Sequence, residues 1–124
     1  MVALTALIAE DEEVLPEQLR WMSASQGANV RPITVDEVCN FQSDTKYTNV
    51  VTADCEALIR RSLKELQDQL DPAVFWPIHR STIVNVNAIA GVTRDLRGHV
   101  AVKLKARPEK LAVSAAHAHL FRQM

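Results

Sequence analysis

The chain has 124 residues, of which 48% are hydrophobic and 23% are charged, and its formal net charge is −1. This composition suits one globular domain and excludes a disordered chain or a coiled coil. No uninterrupted apolar run approaches the ~20 residues of a membrane helix, and no basic segment marks a signal peptide. We therefore expect a cytoplasmic protein without membrane contact, in which Cys39 and Cys55 are buried, reduced thiols.

Charge is distributed unevenly along the chain. Residues 1–28 contain five acids and one base, whereas residues 79–124 contain eight bases and two acids. All four histidines also lie in the second segment. Because a local positive field supplies much of the affinity for phosphate backbones, this segment is a candidate for nucleic-acid binding.

The first seventeen residues combine a short apolar run at 4–9 with an acidic cluster at 10–13. The run predicts a buried strand, and Glu10 with Asp11 resembles the acidic pair that follows the first strand of a response-regulator receiver domain. The chain leaves no room for a complete receiver before the next domain. We predict that residues 1–17 are a receiver-like remnant strand and acidic linker that accepts no phosphoryl group, and that residues 18–124 form the second domain.

Residues 18–61 consist of short apolar runs separated by turn residues, which predicts antiparallel strands. Gly27 supplies the positive φ for a hairpin between strands at 19–25 and 29–34. A single helical turn is expected at 35–38. Three further strands, at 39–43, 47–52 and 56–60, are predicted to form a meander.

One helix and four more strands follow. Ser62 and Glu65 form a capping box, and Leu63, Leu66 and Leu70 lie on one face of the predicted helix, which ends at Asp71. Strands are predicted at 82–86, 89–93, 100–104 and 110–113. Ser114 is expected to cap a short terminal helix that extends through residue 122. The predicted fold is mainly antiparallel β with one capped amphipathic helix and a short C-terminal helix.

A polar triplet, His79-Arg80-Ser81, interrupts two otherwise apolar runs at 75–78 and 82–86. With the segments 41–52, 58–66 and 113–114, this triplet resembles the LytTR family of DNA-binding domains in order and spacing. The resemblance covers residues 18–124. It implies a mainly β fold that inserts loops into successive major grooves, and a role in transcription regulation at the C-terminus of a response regulator.

The resemblance implies that the DNA contacts come from three loops. Arginine pairs bidentately with guanine or phosphate, lysine binds phosphate as a point charge, and histidine can donate to either. The residues expected to contact DNA are Lys46, Tyr47, His79, Arg80, Ser81 and His117.

Each of these positions also has a purely structural interpretation. Arg80 could be a solvated loop charge, His79 a histidine with internal partners, and Tyr47 a packing residue. Asn85 is expected to satisfy backbone groups at a turn. After Ser114 the chain has Ala115 and Ala116 where LytTR relatives commonly have basic residues, so we expect weaker DNA binding there, with partial compensation by His117.

Other classes of function receive little support from the sequence. His117 and His119 would point about 200° apart on a helix, which disfavours a shared metal site. We expect no enzyme activity, no cofactor and no small-molecule substrate. The expected partner is double-stranded DNA, bound as a homodimer on repeated half-sites. The alternative is an interaction or dimerisation module with weakened DNA binding that pairs through its N-terminal strand.

Overall fold

The computed structural model describes residues 18–121, which fold into ten strands and one α-helix. The strands are β1 (Trp21–Gln26), β2 (Asn29–Thr34), β3 (Val38–Ser43), β4 (Thr48–Thr52), β5 (Glu56–Ile59), β6 (Phe75–His79), β7 (Thr82–Asn85), β8 (Ile89–Arg94), β9 (Val100–Leu104) and β10 (Lys110–Val113). The helix α1 spans Leu63–Gln69, and 3₁₀ turns occupy Val35–Glu37, Val86–Ala88 and Ala115–Phe121. The predicted remnant strand and its boundary at residue 17 lie outside the described residues.

The strands form two antiparallel sheets. The first has the order β2-β1-β5-β4-β3-β7-β6, and the second has the order β10-β9-β8. The meander β3-β4-β5 is confirmed, with strand ends within one residue of the predicted positions. The mainly antiparallel β fold is likewise confirmed.

The position of the turn between β1 and β2 follows from the sequence. Gln26 pairs with Asn29, so only Gly27 and Ala28 remain in the loop. Gly27 has φ 61°, and no described non-glycine residue has a positive φ. A positive φ at the first loop position alone is typical of a type II′ turn, which requires glycine there. The predicted hairpin is confirmed.

Helix α1 covers one face of the first sheet. The hydroxyl of Ser62 accepts from the Glu65 N–H at 3.2 Å, and the Glu65 carboxylate accepts from the Ser62 N–H at 2.9 Å, so the predicted capping box is confirmed. Leu63, Leu66 and Leu70 are buried in a core that includes Phe41 of β3. Burying each leucine contributes roughly 1.5–3 kcal/mol to folding, and this anchors a helix of only seven residues.

The second sheet packs against the opposite face of the first. Cys39, Ile78 and Val84 of the first sheet share a core with five residues of the second, namely Val100, Val102, Leu104, Leu111 and Val113. Burial raises the pKa of the Cys39 thiol, and both cysteines are free and buried, as expected for inert thiols.

The C-terminal segment has the predicted helix without its predicted cap. Ala115–Phe121 is a 3₁₀ helix, and the hydroxyl of Ser114 is hydrogen-bonded to Nδ1 of His117 at 2.6 Å. The N–H of His117 donates to the backbone carbonyl of Ser114 at 3.0 Å. The predicted helix is therefore present as a 3₁₀ helix, but the predicted cap is not formed, because the Ser114 hydroxyl is bonded to the imidazole and not to a backbone N–H. Phe121 packs on Trp76, with 5.7 Å between ring centroids, and holds the segment against β6.

Candidate nucleic-acid interface

Antiparallel pairing brings two predicted contact loops to the same end of the first sheet. Strand β3 pairs with β4 on one side and with β7 on the other, and both pairings reach its C-terminal end. The loop from β3 to β4 and the turn from β6 to β7 therefore lie side by side. The N–H of Ser43 donates to the carbonyl oxygen of Ser81 at 2.9 Å and joins them directly.

A second backbone hydrogen bond adds the third predicted contact segment. The N–H of Ser114 donates to the carbonyl oxygen of Ile78 at 2.9 Å, one residue before His79. Residues 44–47, 79–82 and 114–117 consequently occupy one end of the sheet, which we call the loop edge. All six residues predicted to contact DNA lie in these three segments.

The β3–β4 loop presents a free cation. The N–H of Asp44 donates to the Tyr47 carbonyl at 2.8 Å, and the Asp44 carboxylate accepts from the Thr45 N–H at 2.8 Å. These bonds close the loop and leave Lys46 exposed at its tip. Tyr47 is 39% exposed, which is compatible with both its packing and its contact interpretation.

Ser81 orients the imidazole of His79. The Ser81 N–H lies 3.2 Å from Nδ1 of His79, and the Ser81 hydroxyl lies 2.9 Å from the same atom. Since a backbone N–H can only donate, Nδ1 is the acceptor, and a neutral ring carries its proton on Nε2. His79 thus presents an N–H donor through its second nitrogen.

Arg80 is exposed at the tip of the β6–β7 turn. Within residues 18–121, no carboxylate forms an ion pair with Arg80 or with Lys46. Both cations are therefore available to an external anion. The imidazole of His117 is half-buried beside Ser114, whereas Ala115 and Ala116 are exposed and offer no polar side-chain group.

Some of the positive charge counted in the sequence is used inside the fold. Arg107 donates to Glu109 at 2.5 Å, to Glu56 at 3.0 Å and to the backbone carbonyl of Thr52 at 3.0 Å. The bond with Glu109 raises the pKa of the guanidinium. Arg107 therefore links the second sheet to the first. The net positive charge of residues 79–124 is consequently larger than the charge that is available to bind nucleic acid.

The topology brings two further arginines near the loop edge. The hydroxyl of Thr48, at the start of β4, donates to the Arg61 carbonyl at 2.7 Å. Arg60 and Arg61 are both exposed directly after β5. Arg60 was not identified from the sequence as a candidate contact. Its position follows from the topology, because β5 is antiparallel to β4 and therefore ends beside the start of β4, at this end of the sheet.

Asn85 has the structural role expected for it. Its side chain accepts from the Asn87 N–H at 2.9 Å and donates to the Val38 carbonyl at 2.9 Å.

Within the described part of the chain, histidine, cysteine and acidic side chains form no metal-ligand cluster. No helix there is long and apolar enough to cross a membrane.

Comparison with known proteins agrees with the fold. Residues 28–124 match the LytTr DNA-binding domain family. A solved LytTr DNA-binding domain, from a protein described as a methyl-accepting/DNA response regulator of Bacillus cereus, superposes with a TM-score of 0.76 at 25% identity. That match covers 83% of this chain and 94% of the solved chain.

Two curated relatives are longer proteins. An uncharacterized response regulatory protein of Vibrio cholerae is 41% identical over 88% of this chain, and the match covers 42% of that protein. The heme-containing CO-sensing transcriptional regulator RcoM 2 of Paraburkholderia xenovorans is 34% identical over 57% of this chain, covering 27% of that protein. The chain thus spans less than half the length of either relative. Because the family match covers most of the chain and agrees with its fold, the chain belongs to the LytTr family of DNA-binding domains.

Proposed function

We propose that the domain binds double-stranded DNA sequence-specifically through the loop edge and regulates transcription as the output part of a response regulator. The observation that carries this proposal is the pair of backbone hydrogen bonds, Ser43 to Ser81 and Ser114 to Ile78. They support one continuous surface made from three chain segments, with free cations at two of its tips.

Each residue of the loop edge has a distinct chemical role in this proposal. Arg80 pairs bidentately with the major-groove edge of guanine, and the Nε2–H of His79 donates to a base acceptor or a phosphate. Lys46 binds phosphate without reading sequence. Tyr47 and Ser81 contribute hydroxyl groups, and Ser81 also holds His79 in position.

The third segment contributes least. Ala115 and Ala116 can make only apolar contacts, and His117 is the one residue of 114–117 with an ionisable side chain. Specific recognition therefore depends mainly on His79 and Arg80. A homodimer on two half-sites would double this limited readout, since each base-specific pair contributes about 1–3 kcal/mol of discrimination.

The partnership with a sensor is proposed from the relatives. One is named a response regulatory protein and another a CO-sensing transcriptional regulator. Sequences similar to this domain thus occur within longer proteins that are named as regulators. We expect the signal to reach the domain from outside the loop edge.

The test begins with selection of bound fragments from random duplex DNA. The recovered site is then titrated with the parent chain, with Arg80→Ala and with Lys105→Ala. Lys105 is an exposed control at the opposite end, because its N–H donates to the carbonyl of Ala88, beyond β7. We expect an enriched site whose affinity falls for Arg80→Ala only. Failure to enrich any sequence, or equal affinities for all three proteins, would contradict the proposal.

A further inference from the structure

A groove of about 940 Å³ lies beside the loop edge, between β1 and the end of β5. Its walls include Leu19, Trp21, Tyr47, Leu58, Arg60 and Arg61. Trp21 is 60% exposed and Leu58 is 37% exposed. Both side chains line the groove beside Arg60 and Arg61 and give it an apolar part.

The strand register shows that this surface continues a face that is buried elsewhere. Leu58 pairs with Asn49, and Asn49 pairs with Gln42. Gln42 lies on the same face of β3 as Asn40, which pairs with Val84. Val84 is covered by the second sheet. The second sheet therefore covers one half of this face, and no described element covers the half that contains Leu58.

The rim of the groove is positive. Arg60 forms no ion pair with a described carboxylate, and Arg61 donates to the neutral amide of Gln69 at 2.8 Å. Glu65 is the one acid among the lining residues. An apolar floor with an arginine rim fits a peptide that carries both aliphatic side chains and carboxylates.

The chain contains such a peptide next to the groove. Residues 10–17 include five acids and no base, together with Val14 and Leu15. They join the described domain at Gln18, which lines a smaller cleft that shares Leu19, Trp21 and Arg61 with the groove. Eight residues can extend about 26–29 Å, and covalent attachment gives a high effective concentration.

We propose that residues 10–17 dock in this groove, with their carboxylates near Arg60 and Arg61 and with Val14 and Leu15 against Trp21 and Leu58. This docking is independent of DNA binding and is tested without DNA.

Trp21 serves as the reporter. Trp76→Phe leaves Trp21 as the only tryptophan of the chain, which contains two. In this background the five acids of residues 10–17 are changed to glutamine or asparagine, and acrylamide quenching is measured at low salt. We expect the ratio of docked to open chains to fall about tenfold as several exposed ion pairs are lost, with Trp21 more strongly quenched. Asp36→Asn with Asp54→Asn, outside the groove, should leave the quenching unchanged.

A charge exchange then tests the pairing. Glu12→Lys with Glu13→Lys should increase the quenching of Trp21, and so should Arg60→Glu with Arg61→Glu. The combined protein should regain the protection of the parent. Equal quenching in the parent and the neutralised variant would overturn the proposal. Two other results would do the same: protection that disappears on dilution, which assigns the groove to a second copy, and protection that requires added duplex DNA, which assigns it to the DNA interface.

Discussion

The N–H of Ser43 donates to the carbonyl oxygen of Ser81 at 2.9 Å, and this bond connects two loops that are 38 residues apart in sequence. Both partners are backbone atoms, so side-chain substitutions at the loop tips leave the bond in place. The spacing between Lys46 and Arg80 is thereby set by the sheet and not by the side chains that contact DNA. This separation of scaffold from contact residues allows the contacts to be tested one at a time.

Arg80→Ala should lower affinity for the selected site by about 1–3 kcal/mol and relax base preference at one position, because a bidentate base contact is lost. Arg80 is exposed, so stability should not change. Competition titrations against duplexes with each base at every position measure the effect. If preference is retained at all positions, Arg80 does not read a base.

Lys46→Ala should weaken binding to specific and unrelated duplexes alike. Loss of one phosphate contact should reduce the slope of log affinity against log salt concentration by about 0.9. Lys105→Ala, at the opposite end of the sheet, should preserve the parental slope. A change that depends on duplex sequence would instead assign Lys46 to base recognition.

The hydrogen bond between Ser81 and His79 predicts a graded series of DNA affinities among three variants. His79→Leu removes the donor and should weaken specific binding, whereas His79→Gln retains an N–H donor and should restore part of it. Ser81→Ala keeps the imidazole but removes the hydroxyl 2.9 Å from Nδ1, so we expect an intermediate loss of affinity. Equal affinity of the leucine and glutamine variants would show that His79 acts only through packing.

Arg107→Met should separate structural charge from DNA-binding charge. The variant loses the bonds to Glu109, Glu56 and the Thr52 carbonyl, and we expect the free energy of unfolding to fall by about 1–3 kcal/mol. Affinity for DNA, measured well below the unfolding temperature, should stay at the parental value. A selective loss of affinity without loss of stability would place Arg107 in the interface.

The capping box should make stability depend on pH. The N–H and hydroxyl of Ser62 hold the pKa of the Glu65 carboxyl below its ordinary value of 4.5. The folded state therefore binds fewer protons than the unfolded state, and this contribution is present above pH 4.5 and is lost as the pH falls through the folded pKa.

Ser62→Ala should lower the free energy of unfolding at pH 7 by about 1 kcal/mol. It should also reduce the fall in stability below pH 4.5, because the folded and unfolded pKa values of Glu65 then become more alike. Urea unfolding at several pH values measures both effects. An equal loss in the free energy of unfolding at every pH would mean that the pKa of Glu65 does not depend on the Ser62 hydroxyl.

Local patterns predicted most of the elements. The capping box of Ser62 and Glu65 and the turn of the Gly27 hairpin each span four residues, so each can be recognised from adjacent residues. The terminal helix was also predicted correctly, but its cap was not. Ser114 has the residue type of a cap, yet its hydroxyl is hydrogen-bonded to the side chain of His117, and no local pattern distinguishes this partner from a backbone N–H.

Local sequence patterns could not predict the contacts between distant segments. Arg107 and Thr52 are separated by 55 residues, and only the packing of two sheets brings them together. The same packing decides which face of the first sheet is covered and leaves Trp21 and Leu58 exposed. The resemblance to LytTR domains supplied the residues of the loop edge, and the strand order explains why they lie together.

Backbone amide shifts, recorded by NMR during titration with the selected duplex, test the loop edge most directly. We predict that the largest changes fall in residues 44–47 and 79–82, with smaller changes in 114–117. Residues 53–55 and 105–109, at the opposite end, should remain at their free positions. Largest changes at that opposite end, or changes spread evenly over the domain, would contradict DNA binding through the loop edge.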